Sequence, residues 1–129
     1  MTEGLILVIE DNAKNLKLVR DVLRHDGYNV IEAGTAEDGI KLAIERRPGL
    51  VLMDIQLPGM DGVEAVKMLK HNERTASVPV VAVTAFAMKD DRKRALDAGF
   101  DGYLEKPISL QALRAEVRSF LAPAKAVDG

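Results

Sequence analysis

Leu50-Val51-Leu52-Met53-Asp54 is an apolar run that stops on a carboxylate. A run of this kind, with no polar alternation, suits a strand covered on both faces. Similar short runs recur as Leu5-Ile6-Leu7-Val8-Ile9, Tyr28 to Ile31, Val78 to Val83 and Gly102 to Leu104. They begin near residues 5, 28, 50, 78 and 102, and each interval has room for one amphipathic helix. Strands joined by helical crossovers lie parallel, so the spacing predicts an α/β, doubly wound, five-stranded parallel sheet of (βα)5 type with helices on both faces. Gly27, Pro48-Gly49 and Gly99 read as stops for the first, second and fourth helices. Thr35-x-x-Asp38 and Asp61-x-x-Glu64 read as capping boxes for the second and third helices, and Ser109 as the cap of the fifth. That last helix carries Leu110, Leu113, Val117, Phe120 and Leu121 on one stripe.

Composition narrows the function. The 129 residues suit one domain, expected over residues 1–122, with 123–129 as a short disordered tail and no output domain. The absence of Cys excludes structural disulfides, cysteine-ligated zinc, iron–sulfur clusters and thiol catalysis. With 18 basic against 20 acidic residues, nothing draws the chain to a phosphate backbone, so direct nucleic-acid binding is not expected. No apolar run approaches the ~20 residues of a membrane span, and the start lacks a basic secretion signal. The expected location is the cytoplasm, with no membrane contact.

In open α/β sheets, ligands bind beyond the carboxyl ends of the strands. Here those ends carry Glu10-Asp11, Asp54, Thr84-Ala85 and Lys106-Pro107. Three carboxylates meeting on one rim repel unless a cation sits among them, and oxygen ligands suit a hard ion, Mg²⁺ with Mn²⁺ as its substitute. Mg²⁺ bound by few protein groups readily takes a phosphoryl oxygen, and Lys106 adds a second positive charge. Asp54 is the natural nucleophile for an acyl phosphate, with Glu10 and Asp11 as the metal cradle and Thr84 donating its hydroxyl to a phosphoryl oxygen.

At these residues the chain resembles the response-regulator receiver domains of bacterial two-component signalling, of CheY-like flavodoxin type. The resemblance rests on Val8-Ile9-Glu10-Asp11-Asn12, Leu52 to Gly62, Val83-Thr84-Ala85 and Lys106-Pro107, in that order, and spans Leu5 to about Leu121. Val80 to Lys89 and Lys106-Pro107-Ile108-Ser109 are most similar to single-domain regulators of the DivK type and to receivers of hybrid histidine kinases. The family implies strand order 2-1-3-4-5 and a Mg²⁺ held by Glu10, Asp11, Asp54 and the backbone carbonyl of Gln56. It implies that Asp54 accepts a phosphoryl group from the phosphohistidine of a histidine kinase or histidine phosphotransfer protein. It further implies a switch in which Thr84 moves toward the phosphoryl group and Tyr103 turns inward, remodelling a helix 4, strand 5 and helix 5 face that binds a downstream protein. Such a protein works as a monomer or a phosphorylation-linked dimer. A cis Lys106-Pro107 bond is also implied. The acidic pair departs from the commoner Asp-Asp in being Glu-Asp.

Two further readings concern rate and partner choice. Gln56 and Phe86 lie two residues after Asp54 and Thr84 and flank the route of a hydrolytic water. The apolar Phe86 cannot orient that water, so a long-lived phosphoryl group is expected. On the first helix the apolar positions spread widely, leaving Leu16 or Leu18 partly exposed beside Lys14, Lys17 and Arg20, a candidate partner surface.

Other functions fit less well. Gly34 to Lys41 approximates a phosphate-binding loop, but Ile40 separates its Gly and Lys and Glu37-Asp38 would repel phosphate. An aspartyl-nucleophile phosphatase needs an acid two residues after the nucleophile, where Gln56 stands. An inactive scaffold typically lacks one of the five groups, and all are present. The chain is thus not a conventional enzyme. It is expected to catalyse its own phosphorylation and slow dephosphorylation. His25 and His71 read as solvated residues near helix ends, without a phosphate-carrying role.

Overall fold

The structure, a computed structural model, describes residues 2–57, 59–60, 62–85 and 91–121. Its strands are β1 (Thr2–Ile9), β2 (Asn29–Ala33), β3 (Pro48–Asp54), β4 (Val80–Thr84) and β5 (Gly102–Glu105). They alternate with α1 (Ala13–His25), α2 (Ala36–Arg46), α3 (Gly62–His71), α4 (Asp91–Ala98) and α5 (Leu110–Phe120). All strand pairings are parallel, in the order β2-β1-β3-β4-β5, so β1 and β3 lie inside the sheet and β2 and β5 form its edges. Chain order reverses between β1 and β3, which places the crevice for a ligand above those strands.

Strand side chains alternate between faces, and two buried clusters record the alternation. Ile6, Val8, Leu50, Leu52, Val81, Val83 and Leu104 pack with Val19 and Leu23 of α1 and Leu113 and Val117 of α5. Leu7, Ile9, Val51, Met53, Val80, Ala82 and Tyr103 pack with buried residues of α2, α3 and α4. Every residue of β3 and β4 is buried, as helices on both sides require.

The helix ends follow local chemistry. Asn12, Thr35 and Ser109 accept backbone N–H bonds at the starts of α1, α2 and α5. Gly99, at φ 118°, closes α4 through Gly99 N–H to Leu96 O and Phe100 N–H to Ala95 O, each 3.1 Å. At the opposite end of the sheet from the crevice, Lys70 donates to Asp101 Oδ2 (2.7 Å) and Val78 O (2.9 Å). The same carboxylate oxygen accepts Val80 N–H at 2.8 Å, tying α3 to the starts of β4 and β5.

Three local expectations differ from what is found. Pro48 and Gly49 do not end α2 but begin β3; the helix ends on Arg47, at φ 46°, whose N–H donates to Ala43 O. A proline lacks a ladder donor yet is tolerated as the first residue of a strand, which is where Pro48 sits. Val78, though buried, precedes β4, because its N–H is used by Thr75 O in a turn. Leu110 leaves the α5 stripe: as the first helical residue it remains exposed, while Leu113 and Val117 are buried. The capping reading of Asp61 and the tail at 123–129 lie outside the described residues.

Gly62 opens α3 directly against the β3–α3 connection. A Cβ built there would lie 2.7 Å from Ile55 Cα, a backbone atom that cannot rotate away. Gly62→Ala should therefore lose about 1–3 kcal/mol of stability, as overpacking does, despite alanine's better helix propensity. Urea unfolding checks this; an unchanged midpoint would mean that α3 shifts freely away from Ile55.

Candidate functional site

Alternation along the strands places the charged groups. Continuing past the ends of β1 and β5, Glu10 and Lys106 fall on the same alternation as Val8 and Leu104, and Asp54 on that of Leu52. All three thus belong to the α1/α5 side. The ladder carries on beyond the strands: Glu10 N–H donates to Ala33 O (3.0 Å), Ile55 N–H to Val83 O (3.0 Å) and Lys106 N–H to Thr84 O (2.7 Å). The loops therefore leave the rim in fixed positions. The Lys106–Pro107 bond is cis, as the family resemblance implied.

Lys106 Nζ sits between two carboxylates, 2.9 Å from Asp54 Oδ2 and 2.9 Å from Glu10 Oε1. The remaining oxygens are also held, Asp54 Oδ1 by Gln56 N–H at 2.8 Å and Glu10 Oε2 by Asn12 N–H at 3.0 Å. Asp54 and Glu10 are only 3% and 5% exposed, so a full set of partners is what makes their burial tolerable. Burial pushes the Glu10 carboxyl above its ordinary range, against the pull of Lys106 and Asn12, and the neighbouring Asp54 carboxylate adds to the rise. Burial pulls the Lys106 ammonium down, but its bonds to Asp54 and Glu10 outweigh that and hold it above the usual lysine value.

Asp11 completes the acidic group from an exposed position. One oxygen from each of Glu10, Asp11 and Asp54 lies within 4.8 Å of the others. At that separation each like-charged pair repels by roughly 3 kcal/mol at intermediate dielectric, and one ammonium cannot balance three carboxylates. An all-oxygen donor set with residual negative charge fits a hard divalent cation.

The other expected residues fall as follows. Thr84 is buried at the end of β4. Tyr103 is buried with Ala95 and Phe100 on the α4 side, so its ring is already turned inward in this structure. Gln56 is exposed, and its Oε1 accepts Ala85 N–H at 3.2 Å. Phe86 lies outside the described residues. On α1, Leu16 is half-buried and Leu18 is 41% exposed, beside exposed Lys14 and Lys17. Lys17 pairs with Asp21 (2.7 Å), whereas Arg20 turns to Glu32 on β2 (3.0 Å) and so serves the fold more than a rim. His25 and His71 are exposed at the ends of α1 and α3. Glu37 and Asp38 stand in the first turn of α2, favourably placed for its dipole.

Two contacts escaped the sequence reading. Asn12 both caps α1 and gives its own N–H to Glu10, coupling helix start to acidic pocket; an Asn directly before a helical run is the signal that could have revealed the cap. The Gln56–Ala85 bond joins residues from two loops and has no local signal.

Against known proteins, residues 6–118 match the model of the response regulator receiver domain. The polar-differentiation response regulator DivK of Brucella anthropi is 42% identical over 119 residues, covering 92% of this chain and 97% of that protein. Among solved structures, the receiver domain of sensor histidine kinase PA1611 from Pseudomonas aeruginosa PAO1, described with magnesium coordinated in the active-site cleft, has a TM-score of 0.84 and 32% identity. The match covers 92% of this chain and 98% of that one. The co-crystal of the Saccharomyces cerevisiae histidine phosphotransfer protein Ypd1 with the receiver domain of its downstream response regulator Ssk1 gives a TM-score of 0.84 at 28% identity, covering 92% and 88%.

Because Lys106 is the cation that two buried carboxylates share, Lys106→Met should cost about 3 kcal/mol in chelator-containing buffer. Added Mg²⁺ should recover part of that loss. Thermal or urea unfolding with and without the ion tests it; equal stability of the two proteins without metal would mean that the carboxylates do not need the ammonium.

Proposed function

We propose, from the premise that the chain belongs to the response regulator receiver domain family, that Asp54 is its phosphoacceptor and that the protein works as a phosphorelay switch. The observation that carries this reading is Asp54 itself: a buried strand-end carboxylate facing an acidic cluster and paired to Lys106 at 2.9 Å. An Asp54 oxygen attacks the phosphorus of a phosphohistidine; the new O–P bond forms as the P–N bond breaks, and the imidazole leaves with that electron pair and takes a proton from solvent. Lys106, paired to Asp54, would meet charge on the transferring oxygens, and the hydroxyl of Thr84 at the end of β4 would add a donor to them. Glu10, Asp11, Asp54 and the Gln56 carbonyl would hold Mg²⁺, or Mn²⁺ in its place, which when bound neutralises phosphoryl charge.

Conventional phosphatase turnover is disfavoured by Gln56, whose carboxamide has no acidic proton to give and is engaged with Ala85 N–H. The apolar Phe86 supports slow hydrolysis. Thr84 and Tyr103 share the alternation that faces α4, which supports their acting together as the switch behind a binding face of α4, β5 and α5. Receiver domains interact with histidine kinases or phosphotransfer proteins, and on this chain the docking surface is the start of α1, with exposed Leu18 flanked by Lys14 and Lys17 and half-buried Leu16 at the other edge of the apolar arc. The receiver unit spans residues 1–122. Among the described residues no helix is long and apolar enough to cross a membrane.

Incubation with acetyl phosphate and Mg²⁺ should add one phosphoryl group by intact mass, absent from Asp54→Asn and from EDTA-treated protein. An adduct on Asp54→Asn would move the acceptor elsewhere, and no adduct on the wild type would leave a scaffold. Decay of the adduct reads its lifetime, which Phe86→Glu should shorten.

Docking through α1 predicts a split between donors. Leu18→Asp should slow phosphorylation by a cognate phosphotransfer protein about tenfold or more, the scale of one lost apolar contact plus a buried charge, while the acetyl phosphate rate stays within twofold. Equal slowing with both donors would place the defect in the pocket rather than the surface.

A further inference from the structure

The groups at the strand ends close into a ring. Asp54 Oδ2 accepts from Lys106 Nζ (2.9 Å), and the Lys106 N–H donates to Thr84 O (2.7 Å). Thr84 is bonded to Ala85, whose N–H donates to Gln56 Oε1 (3.2 Å), and the Gln56 N–H returns to Asp54 Oδ1 (2.8 Å). One of these links continues the β-ladder, one is a buried ion pair, and the Gln56 N–H to Asp54 bond is a local turn contact to a buried carboxylate. The Gln56–Ala85 link differs, since both residues are exposed and the acceptor is a side chain on rotatable bonds.

That link also occupies a donor of a kind that the chemistry needs. A phosphoryl group on Asp54 brings three anionic oxygens, and a backbone N–H fixed at a strand end is a donor that needs no reorganisation to receive one. Ala85 N–H is fixed at such an end, directly after Thr84, and lies within the span of one glutamine side chain whose own backbone touches Asp54. Resting on the proposal that Asp54 is the acceptor, we infer that the Gln56 carboxamide is a placeholder for the phosphoryl group: it holds the Ala85 N–H in the unmodified protein and must release it when Asp54 is phosphorylated.

Two consequences follow from the strength of such a bond. A solvent-exposed hydrogen bond between neutral groups is worth little net, so it acts as a brake of roughly fivefold and not as a block. The pocket is competent only in the fraction of molecules whose Ala85 N–H is free, and the acceptance rate is reduced by that fraction. The carboxamide also keeps the Ala85 N–H partnered and the two loops in register between phosphorylation events. Gln56 is therefore a positioning residue that sets how readily the site accepts phosphate.

The test uses the full chain, with Gln56→Met to remove the acceptor at similar size and Gln56→Glu to keep one. Amide hydrogen exchange of Ala85, read by NMR without metal, should quicken roughly fivefold in Gln56→Met and stay protected in Gln56→Glu. The initial rate of phosphoryl adduct formation from acetyl phosphate with Mg²⁺, by intact mass, should rise by a similar factor in Gln56→Met. Unchanged Ala85 exchange in Gln56→Met would overturn the proposal, as would faster exchange with an equal or lower adduct rate. Failure of the Asp54 reading has a different signature, no adduct on any of the three proteins, and the Ala85 exchange then still reports whether the carboxamide holds the N–H.

Discussion

The Lys106 ammonium between Asp54 and Glu10 is the interaction on which the rim of this sheet depends. Without it two carboxylates at 3% and 5% exposure would lie buried together with no positive partner. The ammonium arrives from β5, the carboxylates from β1 and β3, so the contact requires the strand order that the fold provides. Each carboxylate spends its second oxygen on a backbone N–H two residues along, Asn12 for Glu10 and Gln56 for Asp54. The two loops are thereby shaped around the charges that the strands bring together.

This arrangement pairs Asp54 and Glu10 without balancing the whole acidic group. One ammonium against three carboxylates leaves residual negative charge at Asp11, at the solvent edge, where a divalent cation could enter. The rim groups continue both core alternations past the strand ends. Leu50 and Leu52 pack against α1 and α5 below Asp54, while Ala82 and Tyr103 pack toward α4 below Thr84. Thr84 thus borders a different helix layer from the one that flanks Asp54.

Much of this was legible in the chain because the relevant signals are local. Short apolar runs at regular intervals predict parallel strands, and the polar residue that ends each run predicts what lines the rim. Thr35 and Ser109 cap the helices they were expected to cap. Where reading by residue type failed, position within the element decided: Pro48 could start β3, and Leu110, opening α5, lay outside the buried stripe. Arg20 looked like a free rim charge until β2 placed Glu32 3.0 Å away.

The sequence by itself determined the element order, the two-sided burial of the central strands and the set of groups at the strand ends, because these follow from hydrophobic periodicity and turn chemistry within short windows. Only the tertiary structure decided which oxygen meets which donor. That Lys106 divides itself between Asp54 and Glu10, that Asn12 serves Glu10, and that the Gln56 carboxamide reaches Ala85 depend on distances between segments far apart in the chain. Strand order and register set those distances, and neither is written in any one segment.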